Sequence, residues 1–105
     1  MTRFATILLL AFLAGCAHPF SRDAAGEVMQ ADRDFADRAA TAGLRAAFVE
    51  FAAPDAMLFR AGVGPIRGPQ AIGESFAEAG DATLVWAPEA AEVSAGGDLG
   101  YTWGW

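Results

Sequence analysis

The spacing of apolar residues changes along this chain, and the change limits the folds that it can adopt. Between residues 24 and 51 apolar side chains recur every three or four positions, which is the period of an amphipathic α-helix. From Leu99 to Trp105 large and small residues alternate, which is the period of a β-strand. Helices followed by strands indicate an α+β domain in which helices pack on an antiparallel sheet.

Two consecutive helices are predicted in the first half of the chain. Ser21 is suited to cap the first helix, and Gly43 is suited to end it because glycine accepts the left-handed conformation found after helix C-termini. The second helix starts at Leu44 and must end before Pro54, since the residue before a proline avoids the helical conformation. One face of the first helix is an apolar stripe interrupted by one carboxylate: Ala24, Val28, Ala31, Asp32, Phe35, Ala39 and Ala42.

The following segments are predicted to contain further strands and a third helix. We expect a strand at residues 56–60, a loop at 61–68, and a helix that begins at Pro69 and closes at Gly80. Strands are expected at 83–87 and 89–94, with turn residues at 96–98 leading into a return strand at 99–105. The buried stripe of the third helix is predicted to consist of Ile72, Phe76 and Ala79.

The return strand has two very different faces. One carries Leu99, Tyr101, Trp103 and Trp105, and the other carries Gly100, Thr102 and Gly104. Because glycines in a strand favour curvature, we predict a curved sheet whose concave side is the aromatic face. Such a face could line a ligand cavity, and plain core packing is the alternative.

The first 16 residues have the features of a bacterial export signal. Phe4–Leu13 is apolar apart from Thr6 and is too short to span a bilayer. The following Leu13-Ala14-Gly15-Cys16 resembles the lipobox of bacterial lipoproteins. We therefore predict a signal peptide at 1–15, lipidation of Cys16 and a tether at 16–20. An ordinary secretory signal with an incidental cysteine is the alternative.

Lipidation of Cys16 would hold the protein in the bacterial cell envelope, because attached acyl chains partition into the membrane. Ala17 follows the cysteine, and the resemblance to Gram-negative lipoproteins then implies the outer membrane, with the domain facing the periplasm.

Composition excludes several functional classes. The formal net charge is −6, and seven arginines without a lysine do not form the basic stripe that nucleic acid requires, so we expect no nucleic-acid partner. One cysteine and one histidine permit neither an intrachain disulfide nor a zinc site built from these residues. Because His18 lies in the predicted tether, no Ser-His-Asp or Cys-His site is expected, and we predict no metal and no cofactor.

Three segments carry a resemblance to a known superfamily: "ADRDFADRAATAGLRAAFVEFAAPDAMLFR", "IRGPQAIGESF" and "AAEVSAGGDLGYTWG". Their order and spacing resemble an uncharacterised bacterial branch of the nuclear transport factor 2-like superfamily, which includes SnoaL-like and ketosteroid-isomerase-like proteins. The resemblance implies that residues 21–105 form a cone-shaped α+β barrel. It also implies two further strands, so we expect a C-terminally truncated domain. A complete short variant that pairs its open edge with a second copy is the alternative.

Asp32 and Arg60 are the candidate catalytic residues. A carboxylate on an apolar face could act as a general base, or it could meet water or bond to a loop or to Arg60. In the ketosteroid-isomerase-like relatives a catalytic carboxylate follows the Asp of "F-A-x-D-A" by five residues. Asp55 matches that Asp and Arg60 occupies the later position, which disfavours the steroid isomerase reaction. Arg60 could instead bind an anionic ligand, pair with Asp32 or lie at the surface.

Three functional hypotheses follow. The first is a lipid-anchored domain that binds a small apolar molecule, or a partner protein, without catalysis. The second is a SnoaL-like, cofactor-independent isomerase or lyase that uses Asp32 and Arg60. The third is a structural homodimer formed through the outer face of the sheet. For the first hypothesis the predicted ligand-binding residues are Phe35, Phe59, Trp86, Tyr101 and Trp103.

Overall fold

The computed structural model describes residues 23–79 and 83–105, and it contains helices followed by a β-hairpin. Helix α1 spans Ala24–Ala42, α2 spans Leu44–Phe51 and α3 spans Pro69–Glu74. The strands are β1 (Met57–Leu58), β2 (Ile66–Arg67), β3 (Pro88–Val93) and β4 (Gly100–Gly104). They form two antiparallel two-stranded sheets, β1-β2 and β3-β4, which confirms the α+β class. Ser21, Gly80 and the predicted signal, lipidation site and tether lie outside the described residues.

The reversal between α1 and α2 takes a single residue, Gly43. Its φ is +86°, a value that glycine adopts without the steric cost that a Cβ would add. Its N–H donates to the Ala39 carbonyl, and its own carbonyl accepts from the N–H of Ala47. Ala39 and Ala47 are buried, and their small side chains allow α1 and α2 to pack closely. Helix α2 ends at Phe51, ahead of Pro54, as predicted.

Helix α3 begins with a proline at its first turn, as predicted, and packs on α2. Ile72 is buried at this contact, and Gly73 lies so close to α2 that a Cβ there would be 2.5 Å from Val49 Cγ2. The prediction that the helix continues to Gly80 is wrong at Ser75–Phe76. After Glu74 a turn and a short 3₁₀ helix at Ala77–Ala79 take its place.

The β1-β2 pair is shorter than the predicted strand at 56–60. Met57 pairs with Arg67 and Leu58 pairs with Ile66, so the segment that we predicted to be entirely loop contains β2. The strand predicted at 83–87 is also wrong, since these residues are irregular. Only Ala87 joins the neighbouring ladder there, by exchanging backbone hydrogen bonds with Trp105.

The β3-β4 hairpin was predicted correctly in position and turn. Ser94 N–H donates to the Leu99 carbonyl at 2.7 Å and closes a turn in which Gly97 has a φ of +71°. In the ladder Glu92 is opposite Tyr101 and Ala91 is opposite Thr102, with an irregularity between Pro88 and Ala90.

Helix α1 packs on this hairpin through the face of β4 that carries the small residues. A Cβ on Gly100 would lie 3.3 Å from Val28 Cγ2, and Thr102 reaches Asp32 of α1. The prediction that the aromatic face is the inner one is therefore wrong. Its side chains are 49–84% exposed: Leu99, Tyr101, Trp103 and Trp105. The inner face of β4 carries small residues because helix α1 approaches the strand too closely to leave room for aromatic rings.

No helix within residues 23–79 or 83–105 combines the length and the apolarity that crossing a membrane requires.

Candidate ligand-binding site

A cavity of about 460 Å³ lies between the helices and the hairpin and opens to solvent. Its volume falls within the range of about 300–1,000 Å³ that is usual for small-molecule sites. Helix α1 forms one wall, α2 and the β1 region form another, and β4 closes a third. The lining residues are mostly apolar: Val28, Ala31, Asp32, Phe35, Phe48, Phe51, Ala52, Ala56, Met57, Leu58, Ile72, Gly100, Tyr101 and Thr102.

Asp32 is held in this cavity by two donors from distant parts of the chain. The indole Nε1–H of Trp86 donates to Asp32 Oδ1 at 2.8 Å, and the hydroxyl of Thr102 donates to Asp32 Oδ2 at 2.6 Å. All three residues are half-buried. Because an indole N–H can only donate, Asp32 Oδ1 must accept in this contact. The carboxylate therefore ties α1 both to β4 and to the segment that precedes β3.

Each carboxylate oxygen of Asp32 still has acceptor capacity. An ionised carboxylate offers about four lone-pair sites, and the two described hydrogen bonds use one on each oxygen. Asp32 is half-buried and lies in the cavity lining. The side chain can therefore keep its structural bonds and accept one more from a molecule in the cavity.

Trp86, which bonds to the carboxylate, belongs to a cluster of aromatic rings centred on Phe35. Phe35 lies one helical turn after Asp32, and its ring contacts Trp86 edge to face with centroids 5.0 Å apart. The same ring meets Phe48 at 4.9 Å and Phe51 at 5.4 Å. These contacts pack the ring of Phe35 between helix α2 and the Trp86 segment, and they form an apolar wall next to Asp32.

Arg60 contacts residues other than Asp32. Its guanidinium donates to the Ser75 carbonyl and its Cζ lies 4.9 Å from the centroid of Phe76. Both oxygens of Asp32 bond to other residues, and Arg60 is not part of the cavity lining. The structure therefore does not bring together the two residues that the catalytic hypothesis requires, and Arg60 is an exposed side chain.

The predicted ligand-binding residues divide into three groups. Phe35 and Tyr101 line the cavity. Trp86 lies outside the lining and contributes by holding Asp32 and contacting Phe35. Phe59 is 73% exposed and Trp103 is 49% exposed, and neither contributes to the lining.

Several lining residues were not predicted as site residues. Phe48 and Phe51 recur at helical spacing on α2, and this spacing carries no signal that separates core packing from a cavity wall. Thr102 carried a weak signal, because it is the only polar residue on the small face of β4. A hydroxyl between two glycines on a strand face that meets a helix needs a partner on that helix. Asp32 is the polar residue on the apolar stripe of α1, so it is the residue that can serve as this partner.

Within the described ranges no three His, Cys, Asp or Glu side chains are grouped so that they could hold a metal ion.

Comparison of the chain with protein-family models, curated proteins and solved structures finds no significant match. Function is therefore inferred from the geometry of the cavity and from the residues that form it.

Proposed function

We propose that this chain is a small-molecule-binding domain whose ligand occupies the cavity between α1, α2 and β4. One observation carries the proposal: a cavity of about 460 Å³ with a mostly apolar lining contains one carboxylate that is held in place by two hydrogen bonds. Sites for small molecules combine an apolar lining with a few fixed polar groups in this way. The ligand is accordingly a compact apolar molecule with one polar group that meets Asp32.

We also propose that the domain has the cone-shaped fold of the nuclear transport factor 2-like superfamily. The element order supports it: two helices, a short strand pair, a third helix and a hairpin. The packing of α1 across the inner face of the β3-β4 hairpin also supports it. The sequence pattern around Cys16 supports attachment to the bacterial envelope through a lipid, which would place the cavity next to a membrane.

Binding accounts for the geometry better than the isomerase or lyase reaction does. A proton-transfer reaction of the expected kind would need Asp32 as a base and Arg60 as a positively charged partner. Arg60 is instead engaged with Ser75 and Phe76. The structural bonds of Asp32 to Trp86 and Thr102 agree with a carboxylate that orients a bound group.

The proposal is tested with a neutral apolar probe, 1-naphthalenemethanol, added to the purified full chain. Binding is followed by two-dimensional amide NMR, and we expect shift changes concentrated at residues of the cavity wall. Ala31→Phe places a ring over the cavity and should weaken binding at least about tenfold, since the ring occupies space that the probe needs. Ala40→Phe is the matched control, because Ala40 is exposed on the same helix outside the lining.

Two results would overturn the proposal. One is the absence of saturable binding by the unmodified chain. The other is binding that Ala31→Phe and Ala40→Phe affect equally, because the probe would then occupy another surface. Circular dichroism of both variants checks that the helices are retained.

A further inference from the structure

The cavity has an uneven distribution of charge. Among the described residues that line it, Asp32 is the one with an acidic side chain, and neither arginine nor lysine is present in the lining. The candidate cation, Arg60, lies elsewhere against Phe76. A ligand that enters the cavity therefore meets one negative charge that no lining residue neutralises.

The hydrogen bonds of Asp32 do not neutralise that charge. Trp86 and Thr102 donate uncharged hydrogen bonds, which orient the carboxylate and leave its formal charge in place. A cationic donor on the ligand would form a charge-assisted hydrogen bond, which is roughly twice as strong as a neutral one. A carboxylate on the ligand would be repelled by Asp32.

The aromatic lining favours the same kind of ligand. The rings of Phe35, Phe48 and Phe51 belong to residues of the walls. The negative face of an aromatic ring attracts a cation within about 6 Å of its centroid. The same rings also accommodate an apolar body, so one wall can serve both parts of an amphiphilic amine.

On this basis we infer that the cavity selects a cationic amine with a compact apolar body, and that Asp32 is the residue that binds the ammonium group. The inference rests on the proposed function, because it specifies the class of ligand for the same cavity. The net charge of −6 on the chain is consistent with it, since long-range attraction favours the approach of a cation.

The experiment compares three probes that share one ring system: 1-naphthylmethylamine, 1-naphthalenemethanol and 1-naphthoic acid. Near neutral pH they are a cation, a neutral molecule and an anion, respectively. Dissociation constants are measured for the purified full chain by NMR titration at fixed ionic strength. We expect the amine to bind at least about tenfold more tightly than the alcohol, and the acid to bind more weakly than either.

Two isosteric variants in α1 test whether Asp32 is responsible for the preference for the amine. In Asp32→Asn the amide oxygen still accepts from Trp86 and the amide nitrogen can donate to the Thr102 hydroxyl, so the fold is kept while the charge is removed. We expect the ratio of the alcohol to the amine dissociation constant to fall to about one in Asp32→Asn. Asp34→Asn is the matched control: it removes the same charge from an exposed side chain that bonds to Gln30 on α1, and the ratio should stay unchanged.

The outcomes separate the two proposals. If the alcohol binds in the cavity and the amine binds no more tightly, the inference fails while the proposed function stands. If no probe binds, both fail. If the amine is preferred but Asp32→Asn and Asp34→Asn lower the preference equally, the selectivity comes from general charge attraction and the assignment to Asp32 is wrong.

Discussion

Removing the hydroxyl of Thr102 is expected to loosen the attachment of β4 to α1. In Thr102→Val the side chain keeps nearly the same shape, and the donor that reaches Asp32 Oδ2 at 2.6 Å is lost. A hydrogen bond to a charged group contributes about 1.5–3 kcal/mol. Because both residues are half-buried, water can replace part of the bond, and the lower end of that range applies.

The free energy of unfolding of Thr102→Val should therefore fall by about 1–2 kcal/mol. Since the described part of the chain is a small domain, this loss corresponds to a melting temperature lower by about 5–10 °C. Guanidinium denaturation followed by tryptophan fluorescence measures the change, with an unaltered slope against denaturant indicating that the same surface is exposed on unfolding. Thr83→Val changes the same atoms at an exposed threonine and should alter stability by less than about 0.5 kcal/mol.

A double-mutant cycle then tests whether the loss of unfolding free energy comes from the hydrogen bond between Thr102 and Asp32. Thr102→Val and Asp32→Ala are measured singly and together, and their coupling energy should be about 1 kcal/mol, because each removes one partner of the same contact. A coupling below about 0.3 kcal/mol, or a Thr102→Val variant as stable as the unmodified chain, would refute the view that this bond holds β4 to α1.

Three further predictions concern the hairpin and the α2-α3 contact. The hydrogen bond from Tyr101 to Glu92 at 2.7 Å, and after it the charge of that carboxylate, raises the pKa of Tyr101 above its ordinary value. The hydrogen bond of Tyr101 to Glu92 therefore contributes to stability below a pH of about 10, and this contribution is lost as the pH rises through the folded-state pKa of Tyr101. In Glu92→Gln, tyrosinate absorbance should show a lower pKa for the single tyrosine. The Ser94 hydroxyl, followed by the backbone N–H of Asp98, lowers the pKa of Asp98, so its contribution is present above a pH of about 4 and is lost as pH falls through the folded-state pKa. In Ser94→Ala, carboxyl NMR should find the Asp98 pKa closer to its ordinary value, and no movement would contradict this explanation. Gly73→Ala should lower the melting temperature despite the better helix propensity of alanine, because its Cβ would lie 2.5 Å from Val49 Cγ2, and Val49→Ala in the same chain should restore part of the loss.

The elements with local signals were predictable from the sequence. The reversal between α1 and α2 requires a residue with positive φ, and glycine adopts this conformation readily. Gly43 is therefore a signal for the helix boundary that can be read from the sequence itself. Pro69 marks the start of α3 for an equally local reason, its fixed φ and missing N–H. The turn of the β3-β4 hairpin depends on residues 94–99, all within one short segment.

Elements that depend on distant partners were predicted less well. Strand β2 has two residues surrounded by turn formers, and it is a strand only because Met57 and Leu58 lie beside it. The segment at 83–86 has a strand-like composition, but the β4 ladder reaches only as far as the hydrogen bonds between Trp105 and Ala87. Composition does not carry the information that decides either case, which is whether a second strand lies alongside.

The orientation of β4 illustrates the same difficulty. Alternation separates Tyr101 and Trp103 from Gly100 and Thr102, but it does not state which set faces the helices. Hydrophobicity favoured the rings as the inner set. Close packing decided otherwise, because a Cβ on Gly100 would already lie 3.3 Å from Val28 Cγ2. A glycine-rich strand face is therefore a sign of close approach by a neighbouring element at least as much as a sign of curvature.

Asp32 shows how much of a site the sequence can supply. Its position on the apolar stripe of α1 identified it as a carboxylate that needs a partner, because burying a charge without one is costly. Its partners, Trp86 and Thr102, lie 54 and 70 positions further along the chain, and Arg60, the partner considered from sequence, is elsewhere. Trp86 was predicted as a ligand-binding residue and Thr102 only as a member of the small face of β4, so neither was predicted to donate to Asp32. A carboxylate on an apolar helix face thus predicts that a donor exists, and only the packing of α1 on β4 determines which donor it is.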